Sequence, residues 1–300
     1  MVNYPPTDEA VKQEVKFYLQ EHQNMKSLLH FYEKLYAHQR GFTNSLTTYS
    51  PPQTANREVM QGKPLLAELA LPIPVQPTLE LAQTILLDAC SELLVKNEQQ
   101  LNVMCNLMQS TFTADNIKEF YSRPSNLSLA KVQKFLFTKH DTAELAEQQL
   151  AVTAQVIRSA LQMYFVYFAQ QMQAAIDASN WNEGVCPVCG EKPMLAMLRA
   201  EDGSRVLECG LCHTQWEVSR IRCMSCGNTD HSKLSFFYLP DQVHRRVYVC
   251  SQCHNYLKTV VLKELARDII PDLENLMTHF LDVLAADEGY GESGDKTTFN

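Results

Sequence analysis

Cys186-Pro187-Val188-Cys189-Gly190, Cys209-Gly210-Leu211-Cys212-His213, Cys223-Met224-Ser225-Cys226-Gly227 and Cys250-Ser251-Gln252-Cys253-His254 place eight of the ten cysteines in four Cys-x-x-Cys pairs. A tetrahedral ion such as zinc or iron needs four soft donors converging on one point, and one such turn supplies two. The pairs must therefore pair with each other across a loop. The first with the second, and the third with the fourth, fit the four-cysteine spacing of ribbon-type sites. This sequential ligation closes shorter loops than an interleaved one, which spacing alone leaves open. The candidate metal ligands are Cys186, Cys189, Cys209, Cys212, Cys223, Cys226, Cys250 and Cys253.

Gly190 and Gly227 follow the second cysteine of their pairs, where a tight knuckle bends through a left-handed backbone that glycine tolerates best. Such knuckles are similar to those of rubredoxins and zinc ribbons. The region from about 184 to 259 has little apolar core, so metal binding, worth about 10 kcal/mol or more per structural zinc in small fingers, is its expected source of folding energy.

Three other uses of paired cysteines fit less well. A disulfide framework needs an oxidising compartment, and the N-terminus MVNYPPTDEAVKQEVKF lacks the basic and apolar regions of a leader. Cys209 to His213 and Cys250 to His254 match the haem-attachment pattern, which would strand the other two pairs. A thioredoxin-type redox pair lacks a surrounding βαβ pattern. His213 and His254 then read as ordinary residues following a knuckle.

Composition sets wider bounds. The chain has 300 residues, 45% hydrophobic and 20% charged, as in ordinary globular proteins. Its most apolar run, Ala160 to Ala169, is about half the ~20 residues needed to span a bilayer. A net charge of −8 speaks against general nucleic-acid binding, which draws on clustered positive charge. The stretch 184–259 carries nine Lys/Arg and seven Asp/Glu, and four thiolates on a divalent ion add two negative charges. Protein recognition is the better expectation. No P-loop, HExxH pair or nucleophile elbow occurs, and four cysteines close a coordination sphere that catalytic zinc keeps open. A non-enzyme is expected.

Before the cysteines, apolar spacing is helical: Ala82, Ile85, Leu86, Ala89 and Leu93, then Leu101, Met104, Cys105 and Met108. Cys90 and Cys105 read as small buried hydrophobes. A longer stripe from Leu150 through Tyr164, Phe165 and Phe168 to Ile176 predicts the central helix of a bundle, capped by Asp141 or Thr142. Six prolines between Phe42 and Thr78 predict an extended strap suited to docking or partner binding. Short strands are expected at 194–199, 204–208, 215–218, 234–238 and 247–249, with Trp216 and Phe236 to Tyr238 as ribbon core. After Cys253 helical spacing returns through Val261 to Leu284, with an apolar face that packs back on the bundle. Gly289 to Gly294 spells GxGxxG without a flanking strand or helix, inside a polar tail expected to be disordered.

The order of these residues, Cys186-Pro187-Val188-Cys189-Gly190, then Cys209/Cys212 with Trp216, Arg220 and Arg222, then Cys223/Cys226, then Cys250/Cys253 with Tyr256-Leu257-Lys258, resembles the FdhE family of formate dehydrogenase accessory proteins. The Gly62-Lys63-Pro64-Leu65 segment fits the same resemblance. It implies a multidomain α+β protein: an all-helical N-terminal bundle, two rubredoxin-like four-cysteine modules and a C-terminal helix. The corresponding expectation is a helical domain at 1–183 with its strap at about 42–78. Modules follow at 184–222 and 223–259, a C-terminal helix at 260–285 and a tail at 286–300. The resemblance further implies a cytoplasmic assembly factor that binds the catalytic subunit of a respiratory formate dehydrogenase before export. Each module would hold iron through four cysteines, with zinc as the alternative metal. Alternative functions are a rubredoxin-like redox protein serving the immature subunit and a nucleic-acid-binding zinc ribbon.

Overall fold

The computed structural model of the protein describes residues 4–46, 62–68, 73–94, 97–173, 178, 180–265 and 267–291. The chain divides into two compact units, one made of Val2–Pro51 and Leu66–Ala174, the other mainly of Pro52–Leu65 and Ala175–Asn300.

The first unit is helical: α1 (Asp8–Glu21), α2 (Lys26–Ser45), α3 (Val75–Leu93), α4 (Glu98–Thr111), α5 (Ala114–Tyr121), α6 (Leu129–Lys139) and α7 (Glu147–Gln173). Their starts are written in the sequence. Thr7, Asn97 and Thr113 each accept a backbone N–H of the first turn, at Ala10, Gln100 and Asn116, satisfying donors that have no partner inside the helix. α7 is buried on nearly every side between Ala154 and Met172, as a helix apolar all round must be. It touches α2, α3, α4 and α6, so the expected central helix is present. The rings of Tyr121 and Phe165 stack on it at 4.5 Å.

Two local expectations need correction. α7 begins at Glu147, not after Asp141 or Thr142. Asp141 instead accepts the N–H of Ala143 in a turn, and Gln149 caps the helix start by accepting the N–H of Ala146. The proline-rich strap is shorter than expected: residue 42 lies inside α2 and residue 78 inside α3. Residues 47–61 and 69–72 of the strap lie outside the described residues.

The second unit is built on one sheet: β1 (Pro193–Leu198), β2 (Arg205–Cys209), β3 (Gln215–Val218), β4 (Leu234–Phe237), β5 (Arg245–Cys250) and β6 (Tyr256–Val261). Its order is β3-β2-β1-β6-β5-β4. Two antiparallel three-strand meanders thus tile in the same direction. They join where β1 runs parallel to β6, with Ala196 opposite Thr259 and Leu198 opposite Val261. β6 is absent from the sequence expectation, which had helix returning there. The β-branched run Thr259-Val260-Val261 suits a pleated strand, and Thr259 and Val260 are buried.

Trp216 is buried as expected, but Phe236 and Tyr238 are 44% and 43% exposed and are not ribbon core. Strand alternation sends only Phe237 of that run inward. The C-terminal segment forms three short helices, α8 (Leu262–Leu265), α9 (Pro271–Met277) and α10 (His279–Asp287). Apolar residues of this segment pack on the sheet: Ile269, just before α9, joins Leu195, Met197, Val206 and Val260, while Leu281 and Ala285 of α10 cover Val247 and Val249. Residues 288–291, expected in the tail, are ordered against this layer. Gly291 donates to the carbonyl of His254 at 2.8 Å, and the Tyr290 ring lies 6.0 Å from that of His254. Residues 292–300 lie outside the described residues. Among the described residues no helix is long and apolar enough to cross a membrane.

Candidate metal centres

The four knuckles are built to one plan. The N–H of Cys186, Cys209, Cys223 and Cys250 donates to the carbonyl of Glu191, Thr214, Asn228 and Asn255 respectively, each five residues on, at 2.8–3.1 Å. The residue after each second cysteine has a left-handed backbone: Gly190 (φ 81°), His213 (57°), Gly227 (73°) and His254 (57°). Glycine is the low-cost residue there, and two histidines accept the same bend.

This plan gathers the sulfurs into two groups, Cys186/Cys189/Cys209/Cys212 and Cys223/Cys226/Cys250/Cys253, each with all sulfurs within 4.8 Å of one another. The sequential grouping is the one formed. The pairs Cys186–Cys212 and Cys189–Cys209 are 3.5 and 3.4 Å apart, and Cys223–Cys253 and Cys226–Cys250 are 3.6 and 3.8 Å apart. These separations are too long for disulfides. A tetrahedron with metal–sulfur bonds of about 2.3 Å has edges of about 3.8 Å, so both groups fit one ion each. The same grouping engages the thiols that haem attachment or a free redox pair would need.

Backbone amides already aim at the sulfurs. Val188 donates to Cys186 at 3.4 Å, and Leu211 to Cys209 at 3.3 Å. Thr214 contacts Cys212 at 3.1 Å, and Asn228 donates to Cys250 at 3.8 Å. Such donors favour thiolate and tune a sulfur-ligated metal. In the first group burial pushes the Cys189 and Cys209 thiols well up. Burial of Cys186 is overcome by hydrogen bonds from the three neighbouring sulfurs, which hold it well down. In the second, burial pushes Cys223 up to about 12. At Cys250 burial is outweighed by the N–H groups of Cys253 and Gln252, which bring it down to about 7. Each group thus holds one thiol down and two up, and a bound cation favours the thiolate form of its ligands.

The two groups differ in exposure. All four cysteines of the first are buried, whereas Cys226 in the second is exposed and Cys253 half-buried. Around the first group the chain closes a wall. Leu65 donates to the carbonyl of Pro187 at 3.0 Å, and Pro64 fills the space where a Gly190 side chain would stand. His213, 2% exposed at its side chain, bridges Glu208 at 3.1 Å and Asp272 at 3.5 Å. Burial raises the Glu208 pKa against the pull of His213. His213 therefore does more than follow a knuckle, since it ties β2 to α9.

Sequence reading left Tyr256-Leu257-Lys258 without a role. Tyr256 donates to one carboxylate oxygen of Asp282 at 2.9 Å, and Lys258 reaches the other at 2.8 Å and the Asn275 carbonyl at 2.8 Å. The motif clamps α9 and α10 onto β6. Arg245 and Glu274, both buried, make a two-pronged pair at 2.7 and 3.3 Å, joined by Arg267 at 3.2 Å. No sequence pattern announces that pair. Cys90 and Cys105 are half-buried and belong to neither group, with thiols raised by burial.

Comparison with known proteins adds a consistent set of likenesses. Residues 185–220 match the family described as FdhE, central domain. A protein FdhE homolog of Aquifex aeolicus is 32% identical over 137 residues, covering 44% of this chain and 47% of that protein. One from Haemophilus influenzae (strain PittEE) is 29% identical over 219 residues, 65% of this chain and 71% of that protein. One from Pasteurella multocida is 30% identical over 217 residues, 71% and 63%. The chain thus aligns with about half of the first relative and about two thirds of the others. The crystal structure of the FdhE protein from Pseudomonas aeruginosa superposes with a TM-score of 0.66 at 20% identity, over 96% of this chain and 95% of that one. The fold is shared.

Proposed function

We propose that this chain, which is similar to FdhE proteins in sequence and fold, is a cytoplasmic accessory protein for respiratory formate dehydrogenase that binds the catalytic subunit before export. The observation that carries the reading is the pair of four-sulfur groups, one walled in and one facing solvent. In this reading Cys186, Cys189, Cys209 and Cys212 hold one ion, and Cys223, Cys226, Cys250 and Cys253 hold the other. Iron is the expected metal and zinc the alternative, since both accept a tetrahedral sulfur cage. The ions would cross-link the knuckles of each group in addition to the apolar cores that the sheet forms with the C-terminal helices, and the protein acts by binding rather than by catalysing a reaction. Its own residues supply the frame: the amide donors orient the sulfurs, and the Asp282 clamp holds the helices that cover the sheet.

Pull-down of the catalytic subunit, with and without Cys223→Ser/Cys226→Ser, tests this directly. Retention by the unaltered protein and loss in the variant is the expected result; no retention by either removes the reading. A second function, electron delivery to the immature subunit, draws on the exposure of Cys226, because an electron carrier needs an accessible centre. It predicts a reversible redox couple in the iron-loaded protein.

A further inference from the structure

A cavity of about 180 Å³ opens beside the second four-sulfur group. Arg205, Arg220, Arg222 and His231 line it, and no carboxylate does, although the chain as a whole is acidic. Arg205 is 4% exposed. Its Nη1 donates to the carbonyl of Arg222 at 3.0 Å, and its guanidinium carbon sits 5.6 Å from the centre of the Tyr248 ring. Its buried Nε has no hydrogen-bond partner, and no Asp or Glu among the described residues pairs with it. Burial lowers its pKa to about 10, with Tyr248 and Cys223 as weaker opposing influences. Buried cations are ordinarily paired with an anion, because leaving one unbalanced is costly. Thiolates of the neighbouring second group offset part of this charge when a divalent ion is bound, but Nε is left without an acceptor, a place that a carboxylate oxygen fills.

The surroundings narrow what supplies that oxygen. At 180 Å³ the space is smaller than the ~300–1,000 Å³ of most small-molecule sites, and it suits side chains of a segment better than a cofactor. Two of its walls, Ile221 and Phe236, are 56% and 44% exposed, and Tyr238 beside Phe236 is 43% exposed. Such a cluster of exposed apolar side chains marks an interaction surface. Phe236 lies on β4, which ends the sheet, so the outer backbone of that strand is available to an added strand.

We propose that this cavity docks an extended acidic segment of a partner protein, its carboxylate pairing with Arg205 while flanking apolar residues cover Ile221 and Phe236 along β4. The proposal deepens the accessory reading and rests on it for taking the partner to be the catalytic subunit.

The test uses the full-length, metal-loaded protein and two fluorescein-labelled peptides, acetyl-Ser-Leu-Phe-Asp-Leu-Ser-amide and its Asn counterpart, titrated by fluorescence anisotropy. The Asp peptide should bind about tenfold more tightly than the Asn peptide, the difference expected of one charge-assisted hydrogen-bonded pair. Arg205→Met should erase that preference. Phe236→Ser, at an exposed strand position lining the cavity, should weaken both peptides while metal content stays unchanged, so the outcome does not hang on the folding of the arginine variant. Equal affinity for the two peptides, no binding up to millimolar concentration, or binding indifferent to Phe236→Ser would each overturn the proposal. Loss of metal from Arg205→Met together with no peptide binding would overturn it too, making Arg205 a counter-charge for the metal–thiolate centre alone. The peptide titration requires no catalytic subunit, so its failure is distinguishable from failure of the pull-down.

Discussion

A Cβ on Gly184 would stand 1.7 Å from the carbonyl oxygen of Met224. The segment entering the first knuckle therefore lies in direct backbone contact with the third, which links the two four-sulfur groups. Gly184→Ala must push that contact apart. It should lower the unfolding free energy of the metal-loaded protein by about 1–3 kcal/mol, the range of overpacking. Gly41→Ala is the control: inside α2, with nothing within 4 Å of the new carbon, it should leave stability unchanged or raise it by up to about 1 kcal/mol. Denaturant unfolding of both variants checks the contrast.

The two left-handed histidines should respond oppositely to glycine. His254 is exposed, so His254→Gly relieves its backbone bend and should be neutral or stabilising by up to about 1 kcal/mol. His213→Gly relieves the same bend but deprives buried Glu208 of its partner at 3.1 Å. A cost of about 1–3 kcal/mol is expected for a buried group left unsatisfied. Thermal unfolding of the two variants side by side reads the difference.

Arg245 and Glu274 form a buried pair, with Glu274 fully enclosed. Arg245→Met leaves that carboxylate short of its main partner and should cost about 3–5 kcal/mol. Arg245→Met/Glu274→Met should recover part of the loss, because the buried carboxylate and its desolvation penalty go with Arg245, while Arg267, 19% exposed, loses its contact to Glu274. Urea midpoints of the single and double variants report the coupling.

Asp88 sits 2.6 Å from His38 and 3.1 Å from Lys34. Burial alone would raise its pKa, but hydrogen bonds from His38 and then Lys34 outweigh burial and hold it below the ordinary 3.8. Its folded pKa being lower, the unfolded chain binds the proton more readily. The contribution of Asp88 is therefore present above its ordinary pKa and lost as pH falls through the folded value. Asp88→Asn should be less stable at neutral pH and should flatten the acid limb of the stability profile below about pH 4, measured as unfolding midpoint against pH.

What the sequence revealed follows the range of the interactions involved. Cysteine spacing reports directly on the sulfurs because each knuckle is a six-residue hydrogen-bonded turn, complete in itself. α7 is legible for a similar reason, since a stripe of buried residues over many turns leaves a long periodic record. β6 escaped because Val261 at its end also fits the helical spacing that follows it, and its central position comes from partners more than fifty residues away, at Ala196 to Leu198. The exposure of Phe236 and Tyr238, the orphaned Nε of Arg205 and the enclosure of Glu274 depend on which elements cover them. Residue type alone points the other way for each.

The central claim is that eight cysteines hold two ions. Elemental analysis of the freshly purified protein, paired with its Cys223→Ser/Cys226→Ser variant, tests this most directly. The account predicts two metal ions per chain, falling to one in the variant while the buried first centre stays filled. Less than one ion per chain in the unaltered protein, with all ten cysteines titrating as free thiols in the folded state, would contradict it.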